Sequence, residues 1–131
     1  MKQKHTAKVL SQREIAPDIF DMWIETPLAA DAKPGQFLGV YPRDKSTLLP
    51  RPISICETDA ARSALRVVYR VAGAGTREFS DYSQGDAISL LGNLGNGFPL
   101  EQGAGKKAFL MGGGIGVPPI LELARRLEAE K

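Results

Sequence analysis

Hydrophobic and polar residues alternate in short segments through the first hundred residues of the chain. In residues 19–27, IFDMWIETP, the apolar side chains of Phe20, Met22 and Ile24 occupy every second position. A period of two is typical of a strand with one buried face. Six segments carry strand-like sequence and are separated by glycine, proline or polar turns: HTAKVLSQREI, IFDMWIETP, GQFLGVYP, RPISICE, ALRVVYRVAG and DAISLLGNLG.

Six short strands without a long helix among them predict a mainly β fold, a small antiparallel barrel or sandwich. Between the last two strands, the segment GAGTREFSDYSQGD predicts one short helix. Thr76 is the predicted N-cap of this helix, and Phe79 and Tyr82 are predicted to face inward.

The pattern changes after Gly105. Residues 108–111 predict a compact apolar strand, residues 112–116 a tight glycine turn, and the pair Pro118-Pro119 a helix start. The predicted helix has an apolar stripe at helical spacing, formed by Ile120, Leu121, Ala124 and Leu127. A βα unit normally packs against parallel strands, and none follow here. We therefore expect residues 1–102 to form one domain and residues 103–131 to begin an α/β domain whose remainder is absent.

Composition narrows the functional classes. Lysine and arginine number 17 against 15 acidic residues, and no basic cluster predicts a nucleic-acid surface. The N-terminus lacks the apolar core of a signal peptide, so a cytoplasmic location is expected. The single cysteine, Cys56, cannot by itself hold a metal or an iron–sulfur cluster, and its apolar neighbours predict a buried residue. No catalytic or metal-binding residues are predicted.

Arg51-Pro52-Ile53-Ser54 is the first candidate binding motif. An arginine at a strand edge offers a planar fork to a phosphate, and Ser54, expected to point the same way, offers a hydroxyl to an attached heterocycle. Taken alone, the motif favours a solvated arginine beside a turn over a phosphate site.

Two glycine-rich segments are further candidates. Gly73-Ala74-Gly75-Thr76 lets a ligand approach the backbone at a helix start. The same residues are equally typical of an ordinary capped turn that binds no ligand. GGGIG at residues 112–116 lies between the predicted strand and helix, but its spacing departs from the dinucleotide fingerprint. The segment LGNLGNGFPL, residues 91–100, is interpreted mainly as a connecting turn, in which Asn93 and the pair Asn96-Gly97 allow a positive φ.

In this order, R-P-I-S-I, G-x-G-T, L-G-x-L-G-N-G-F and M-G-G-G-I-G-V-P-P resemble the ferredoxin–NADP reductase superfamily. Within that superfamily they are most similar to the electron transfer subunits of type B dihydroorotate dehydrogenase. The resemblance implies a six-stranded antiparallel flavin-binding barrel followed by the first βα unit of a nucleotide-binding domain. It also implies FAD as the cofactor, with NAD and a [2Fe–2S] cluster only in the full-length protein, because this chain ends before the cluster cysteines.

The resemblance assigns the site residues. Arg51 is implied to contact the FAD pyrophosphate, and Ser54 to lie at the redox-active edge of the isoalloxazine, with Pro52 and Ile53 shaping the same strand. The remaining positions are implied in three groups: Val68, Tyr69 and Arg70 on the next flavin-lining strand, Gly75 and Thr76 at the helix that receives the pyrophosphate, and Gly112, Gly113, Gly114 and Gly116 in the nicotinamide-nucleotide loop.

The resemblance further implies an FMN-containing catalytic partner that oxidises dihydroorotate, with electrons passing through the cluster and FAD to NAD⁺. Two alternatives stay open from the sequence. One is the flavin subunit of another NAD(P)H-linked oxidoreductase, such as a sulfide dehydrogenase or transhydrogenase type. The other is a non-redox barrel that serves as a binding module. The exposed apolar stripe also predicts self-association of the chain.

Overall fold

The computed structural model describes residues 3–44 and 49–129, and its main body is a closed antiparallel barrel of six strands. The strands are β1 (His5–Ala16), β2 (Ile19–Glu25), β3 (Phe37–Tyr41), β4 (Arg51–Asp59), β5 (Ala64–Arg70) and β6 (Ala87–Leu94). Around the barrel they follow the order β1-β2-β5-β4-β3-β6. The predicted mainly β fold and all six predicted strands are confirmed.

The barrel interior is filled by the apolar residues that alternate along each strand. Met22 and Ile24 of β2 are 1% and 0% exposed, and Val67 of β5 is 1% exposed. Because successive side chains of a strand point to opposite faces, one apolar residue in two is enough to build this core. The period of two in the sequence therefore has a direct physical cause.

A short helix, α1 (Ala74–Phe79), follows β5, and its Phe79 belongs to the barrel core. Phe79 is 1% exposed and Tyr82 is 6% exposed, so the prediction that both face inward is confirmed. The predicted N-cap is wrong, because Gly73 occupies the N-cap and Thr76 the third helical position. From there the Thr76 hydroxyl accepts hydrogen bonds from the N–H groups of Ala72 and Gly73, at 2.8 and 3.1 Å.

The predicted strand at residues 108–111 is wrong. These residues form no regular element, and Phe109 and Met111 are 86% and 78% exposed. A strand needs a neighbouring strand to bond its backbone, and no strand of the described residues pairs with this segment. The glycine-rich segment that follows contains the 3-10 helix Gly114–Gly116.

The last helix, α2 (Pro118–Ala129), packs on the outer face of β4. Its most buried residues are Glu122 and Leu123, at 2% and 8% exposure, whereas the predicted stripe is only half-buried. The stripe prediction assumed packing against a parallel sheet. The helix instead presents a different face to the barrel, because a polar clamp on Glu122 decides its rotation.

The Glu122 carboxylate carries that clamp. It accepts hydrogen bonds from the Thr58 N–H and the Thr58 hydroxyl, both at 3.0 Å, and from Arg126 Nε at 2.7 Å. Arg126 also donates to the carbonyl of Ala32 (3.0 Å), and Arg125 donates to the carbonyl of Thr58 (3.1 Å). The charge of a buried carboxylate is thus matched by donors from both the helix and the barrel.

Two further sequence expectations concern Cys56 and the membrane. Cys56 is 2% exposed, as predicted, and burial raises the pKa of its thiol to about 11, so the thiol is protonated near neutral pH. None of the helices in the described residues is long and apolar enough to cross a bilayer.

Candidate functional site

An opening between β4 and β5 brings together two of the predicted binding segments. The two strands pair from Ile55↔Val67 to Asp59↔Ala64. Beyond Ile55, residues 51–54 pair with β3, and residues 68–70 pair with β2. Across the opening the described residues show no ladder pairs between the two strands. Backbone polar groups that face such an opening are available to a ligand.

The side chain of Arg51 lies against the backbone of Gly75 at one end of this opening. A Cβ placed on Gly75 would stand 2.8 Å from Arg51 Nε and 3.3 Å from Pro42 Cγ. Only a glycine therefore permits this approach, since real Cβ contacts do not come so close. The structure brings together Arg51 and Gly75, which lie 24 positions apart in the sequence.

Arg51 has no carboxylate partner in residues 3–44 and 49–129. Arg51 as a residue is half-buried. A half-buried cation without a protein anion is a suitable contact for a phosphate group.

Ser54 lies on the opposite face of β4 from the one expected. It is three positions from Arg51, and side chains alternate along a strand, so the expectation that both point the same way is wrong. Ile53 and Ile55 fill the core, whereas Ser54 is half-buried on the outer face and Pro52 is exposed there. Within the described part of the chain the Ser54 hydroxyl makes no hydrogen bond, which leaves it available to a ligand.

The predicted site residues of β5 are likewise divided between the outer face of the barrel and its core. Val68 and Arg70 lie on the outer face, and Arg70 is exposed. Tyr69 points into the core, where its ring stacks on Phe20 at 5.8 Å and its hydroxyl donates to Gln12 Oε1 at 2.5 Å. Burial, followed by the negative charge of Asp81, raises the pKa of Tyr69. Only the main chain of Tyr69 is in a position to contact a ligand in the opening.

The glycine-rich loop at residues 112–116 approaches β5. A Cβ on Gly114, which has φ +57°, would stand 3.9 Å from Arg70 Nη2. Gly112 is needed within the loop itself, because a Cβ there would stand 3.0 Å from Val117 Cα and 3.1 Å from the Gly116 oxygen. Among the described residues, Gly113 and Gly116 have open space where a side chain would stand. The loop thus lies beside the outer-face residues of β5.

The connecting segment at residues 91–100 is partly strand. Its first four residues belong to β6, and the positive φ occurs at Gly95 rather than at Asn93, Asn96 or Gly97. Phe98 packs over Gly35, whose own φ is +98°. These contacts support the interpretation of this segment as a structural connection.

Sequence reasoning missed Pro42 and Glu78. Pro42 lies against Gly75, beside the contact with Arg51 described above. Glu78 accepts hydrogen bonds from the N–H groups of Arg43 and Asp44, at 2.7 and 2.9 Å. Neither residue belongs to a recognisable motif. The sequence signal that could have identified Glu78 is its position one helical turn after Gly75.

Comparison with known proteins gives consistent results. No protein-family profile matches the chain. The NAD⁺-type dihydroorotate dehydrogenase B electron transfer subunit of Listeria monocytogenes serotype 4a is 46% identical over 121 residues, which are 92% of this chain and 48% of the relative. The subunit of the same name from Bacillus cereus strain B4264 is 42% identical over 133 residues, covering 99% and 51%. The chain spans about half the length of the curated relatives it matches.

Solved structures with the same fold are ferredoxin reductase-like. An Amycolatopsis cytochrome P450 reductase superposes with a TM-score of 0.82 at 26% identity, over 98% of this chain and 40% of that chain. Phthalate dioxygenase reductase gives a TM-score of 0.74 at 31% identity, over 97% and 40%. A ferredoxin NADP⁺ reductase from Neisseria gonorrhoeae, solved with bound FAD and NADP, has a TM-score of 0.70 over 96% and 52%; at 20% identity it shows the fold alone. The barrel is therefore a ferredoxin reductase-like domain.

Proposed function

This chain is a homologue of the electron transfer subunits of dihydroorotate dehydrogenase B, and we propose that it forms the FAD-binding barrel of such a subunit. In the whole protein it passes electrons from a dihydroorotate-oxidising, FMN-containing partner to NAD⁺, in pyrimidine biosynthesis. Residues 1–102 form the flavin-binding domain, and residues 103–131 begin the domain that binds NAD. Cys56, the single cysteine of this sequence, cannot by itself hold a [2Fe–2S] cluster.

The approach of Arg51 to Gly75 is the single observation that supports this proposal most strongly. A cation that has no carboxylate partner among the described residues, packed on a backbone position that only glycine permits, fits a diphosphate. The adjoining opening between β4 and β5 offers backbone groups and the outer-face hydroxyl of Ser54 to the planar ring that the diphosphate carries. The residues present therefore fit FAD.

Each residue then has a definite task in holding the cofactor. Arg51 balances the charge of the pyrophosphate, and Gly75 gives the Arg51 side chain room beside α1. The Ser54 hydroxyl and the main chain at residues 68–70 orient the ring. The glycine-rich loop at residues 112–116 receives the nicotinamide nucleotide. Thr76 contributes indirectly, because its hydroxyl fixes the turn that leads into α1.

The bound flavin supplies the redox chemistry, exchanging electrons between a one-electron donor and a hydride acceptor. The protein contributes binding, orientation and charge balance. This division of tasks requires no general acid or base from the barrel. The proposal is therefore compatible with a site built from an arginine, a serine, glycines and backbone groups.

A second candidate is the flavin component of another NAD(P)H-linked oxidoreductase. It is supported by the 31% identity with phthalate dioxygenase reductase and by the 32% identity with an NADH-dependent reduced ferredoxin–NADP oxidoreductase, which covers 70% of this chain. Both candidates use the same flavin site. They differ in the electron donor, which the partner subunit determines.

FAD binding tests the site that both candidates share. The purified chain is titrated with FAD, and binding is followed by quenching of flavin fluorescence. We expect Arg51→Ala to weaken binding by about 1.5–3 kcal/mol, or roughly 10- to 150-fold, through loss of a charge-assisted contact. Arg62→Ala is the matched control, because Arg62 follows the far end of β4, roughly 25 Å along the strand from Arg51.

Equal FAD affinity in wild type and Arg51→Ala would remove Arg51 from the site, and no binding by the wild type would refute the flavin function. The donor is then tested with the full-length protein and its copurifying partner. Reduction of NAD⁺ by dihydroorotate supports the first candidate. Activity only with another donor supports the second.

A further inference from the structure

Glu78 and its neighbours form a polar network beside the Arg51–Gly75 contact. The two Glu78 oxygens accept from the N–H groups of Arg43 (2.7 Å) and Asp44 (2.9 Å), and the Tyr82 hydroxyl donates to the same carboxylate. The Arg43 guanidinium lies 4.4 Å above the Tyr82 ring. It also donates a hydrogen bond to the carbonyl of Ala87. This network joins residues 43–44 to α1 and to β6.

The tied segment lies beside the Arg51–Gly75 contact. Pro42 immediately precedes the two N–H groups that Glu78 accepts, and Gly75 lies one helical turn before Glu78. The Cβ position of Gly75 is within 3.3 Å of both the Arg51 side chain and Pro42. Glu78 thus ties residues 42–44 to α1, whose Gly75 meets both the Arg51 side chain and Pro42.

The network keeps Glu78 ionised. Burial raises the pKa of Glu78, but hydrogen bonds from Tyr82, Arg43 and Asp44 outweigh burial and leave it below its ordinary value of 4.5. A negative charge this near an anion site would weaken anion binding if charge alone mattered. If Glu78 favours anion binding, it must therefore do so through the geometry that it imposes on its neighbours and not through its charge.

We infer that Glu78 is a positioning residue for the diphosphate-binding arginine, tying residues 42–44 to α1 so that Arg51 is held in its binding conformation. The inference rests on the proposed flavin function. A side chain already fixed before binding loses less conformational entropy when the ligand arrives. Glu78 itself does not contact the ligand, and its effect on ligand binding passes through Arg51.

Glu78→Gln separates position from charge. Arg43 N–H and Asp44 N–H bond to different Glu78 oxygens, and glutamine replaces one of these oxygens by an NH₂ donor, so one of the two N–H groups loses its acceptor. If Glu78 positions Arg51, FAD binding weakens by roughly three- to tenfold. If Glu78 acts only as a charge, FAD binding becomes tighter, and that result would overturn the inference. Asp81→Asn is the matched control, since it removes an exposed carboxylate three residues away.

A double-mutant cycle distinguishes positioning from a general structural effect. We expect Glu78→Gln to change FAD affinity by less than about twofold once Arg51 is alanine, because its effect passes through Arg51. An equal loss in both backgrounds would show a structural role and refute the inference. If Glu78→Gln does not fold, Tyr82→Phe removes one donor and keeps the ring beneath Arg43. It is expected to lower affinity in the same Arg51-dependent way.

Failure of this inference differs from failure of the proposed function. A wild-type chain that does not bind FAD refutes the flavin site itself. A wild-type chain that binds FAD through Arg51, with no coupling between Arg51 and Glu78, refutes only the positioning role.

Discussion

Gly75 shows how a single missing side chain creates a binding contact. The Arg51 side chain lies where a Cβ of residue 75 would stand, 2.8 Å from Nε and 3.1 Å from Cγ. Most helix positions favour alanine over glycine by about 1 kcal/mol. A glycine inside α1 therefore makes sense as a requirement of the arginine rather than of the helix.

Gly75→Ala is predicted to lower FAD affinity by about 1–2 kcal/mol, roughly tenfold, because the new methyl group displaces Arg51. The free energy of unfolding should change little, since alanine suits the helix. Fluorescence titration measures the first quantity and urea unfolding the second. Gly103→Ala serves as the control, because a Cβ on Gly103 meets no atom within 4 Å. Unchanged FAD affinity in Gly75→Ala would contradict the contact.

Individual residues were predictable only where local chemistry decides their place. The inward positions of Phe79 and Tyr82 and the burial of Cys56 follow from hydrophobicity and strand or helix periodicity. The roles of Thr76 and Ser54 did not. The Thr76 hydroxyl accepts hydrogen bonds from the turn before α1, because Gly73 occupies the N-cap and ends the extended segment. Ser54 faces outward because it lies an odd number of positions from Arg51 on the same strand.

At the scale of the element, the clamp on Glu122 determines how α2 lies on the barrel. Burial raises the pKa of Glu122, but hydrogen bonds from Arg126 and Thr58 and the charge of Arg125 outweigh it and lower the pKa below its ordinary value of 4.5. A carboxylate with a lowered pKa stabilises the folded state above its unfolded pKa. That stabilisation is lost as the pH falls through the folded pKa.

Docking of α2 is therefore predicted to be intact at neutral pH and to weaken at pH values below about 4.5. Glu122→Gln should destabilise the chain by about 1–3 kcal/mol at pH 7, because donors of the clamp lose a charged acceptor. The free energy of unfolding of Glu122→Gln should also change less with pH in the acid range than that of the wild type. Urea unfolding at several pH values measures both effects, and hydrogen exchange of α2 amides locates them.

Glu101→Gln is the control for that experiment, since Glu101 is exposed in the 3-10 helix Leu100–Gly103. An acid transition of α2 that is identical in wild type and Glu122→Gln would show that another group controls the docking.

At the scale of the whole molecule, residues 108–117 expose an apolar segment that the barrel does not cover. Phe109, Met111 and Val117 are 86%, 78% and 51% exposed. Contiguous apolar surface of this kind favours association between copies. A single exposed apolar side chain on the barrel, such as Ile15 at 46% exposure, does not.

The chain is thus predicted to self-associate as its concentration rises. The double variant Phe109→Ser with Met111→Ser should shift the population toward monomer, as measured by multi-angle light scattering. Ile15→Ser, the control, should leave the distribution unchanged. A monomeric wild type at high concentration would contradict the prediction.

The sequence by itself determined the strands of the barrel, the two short glycine segments and the candidate arginine. Each of these depends on local chemistry, namely period-two burial, backbone freedom at glycine and fixed side-chain charge. Only the tertiary structure decided that β4 and β5 separate beyond Ile55 and that Arg51 reaches Gly75. It also decided that α2 binds β4 through Glu122. These features depend on register and on contacts between residues distant in sequence, which no local pattern encodes.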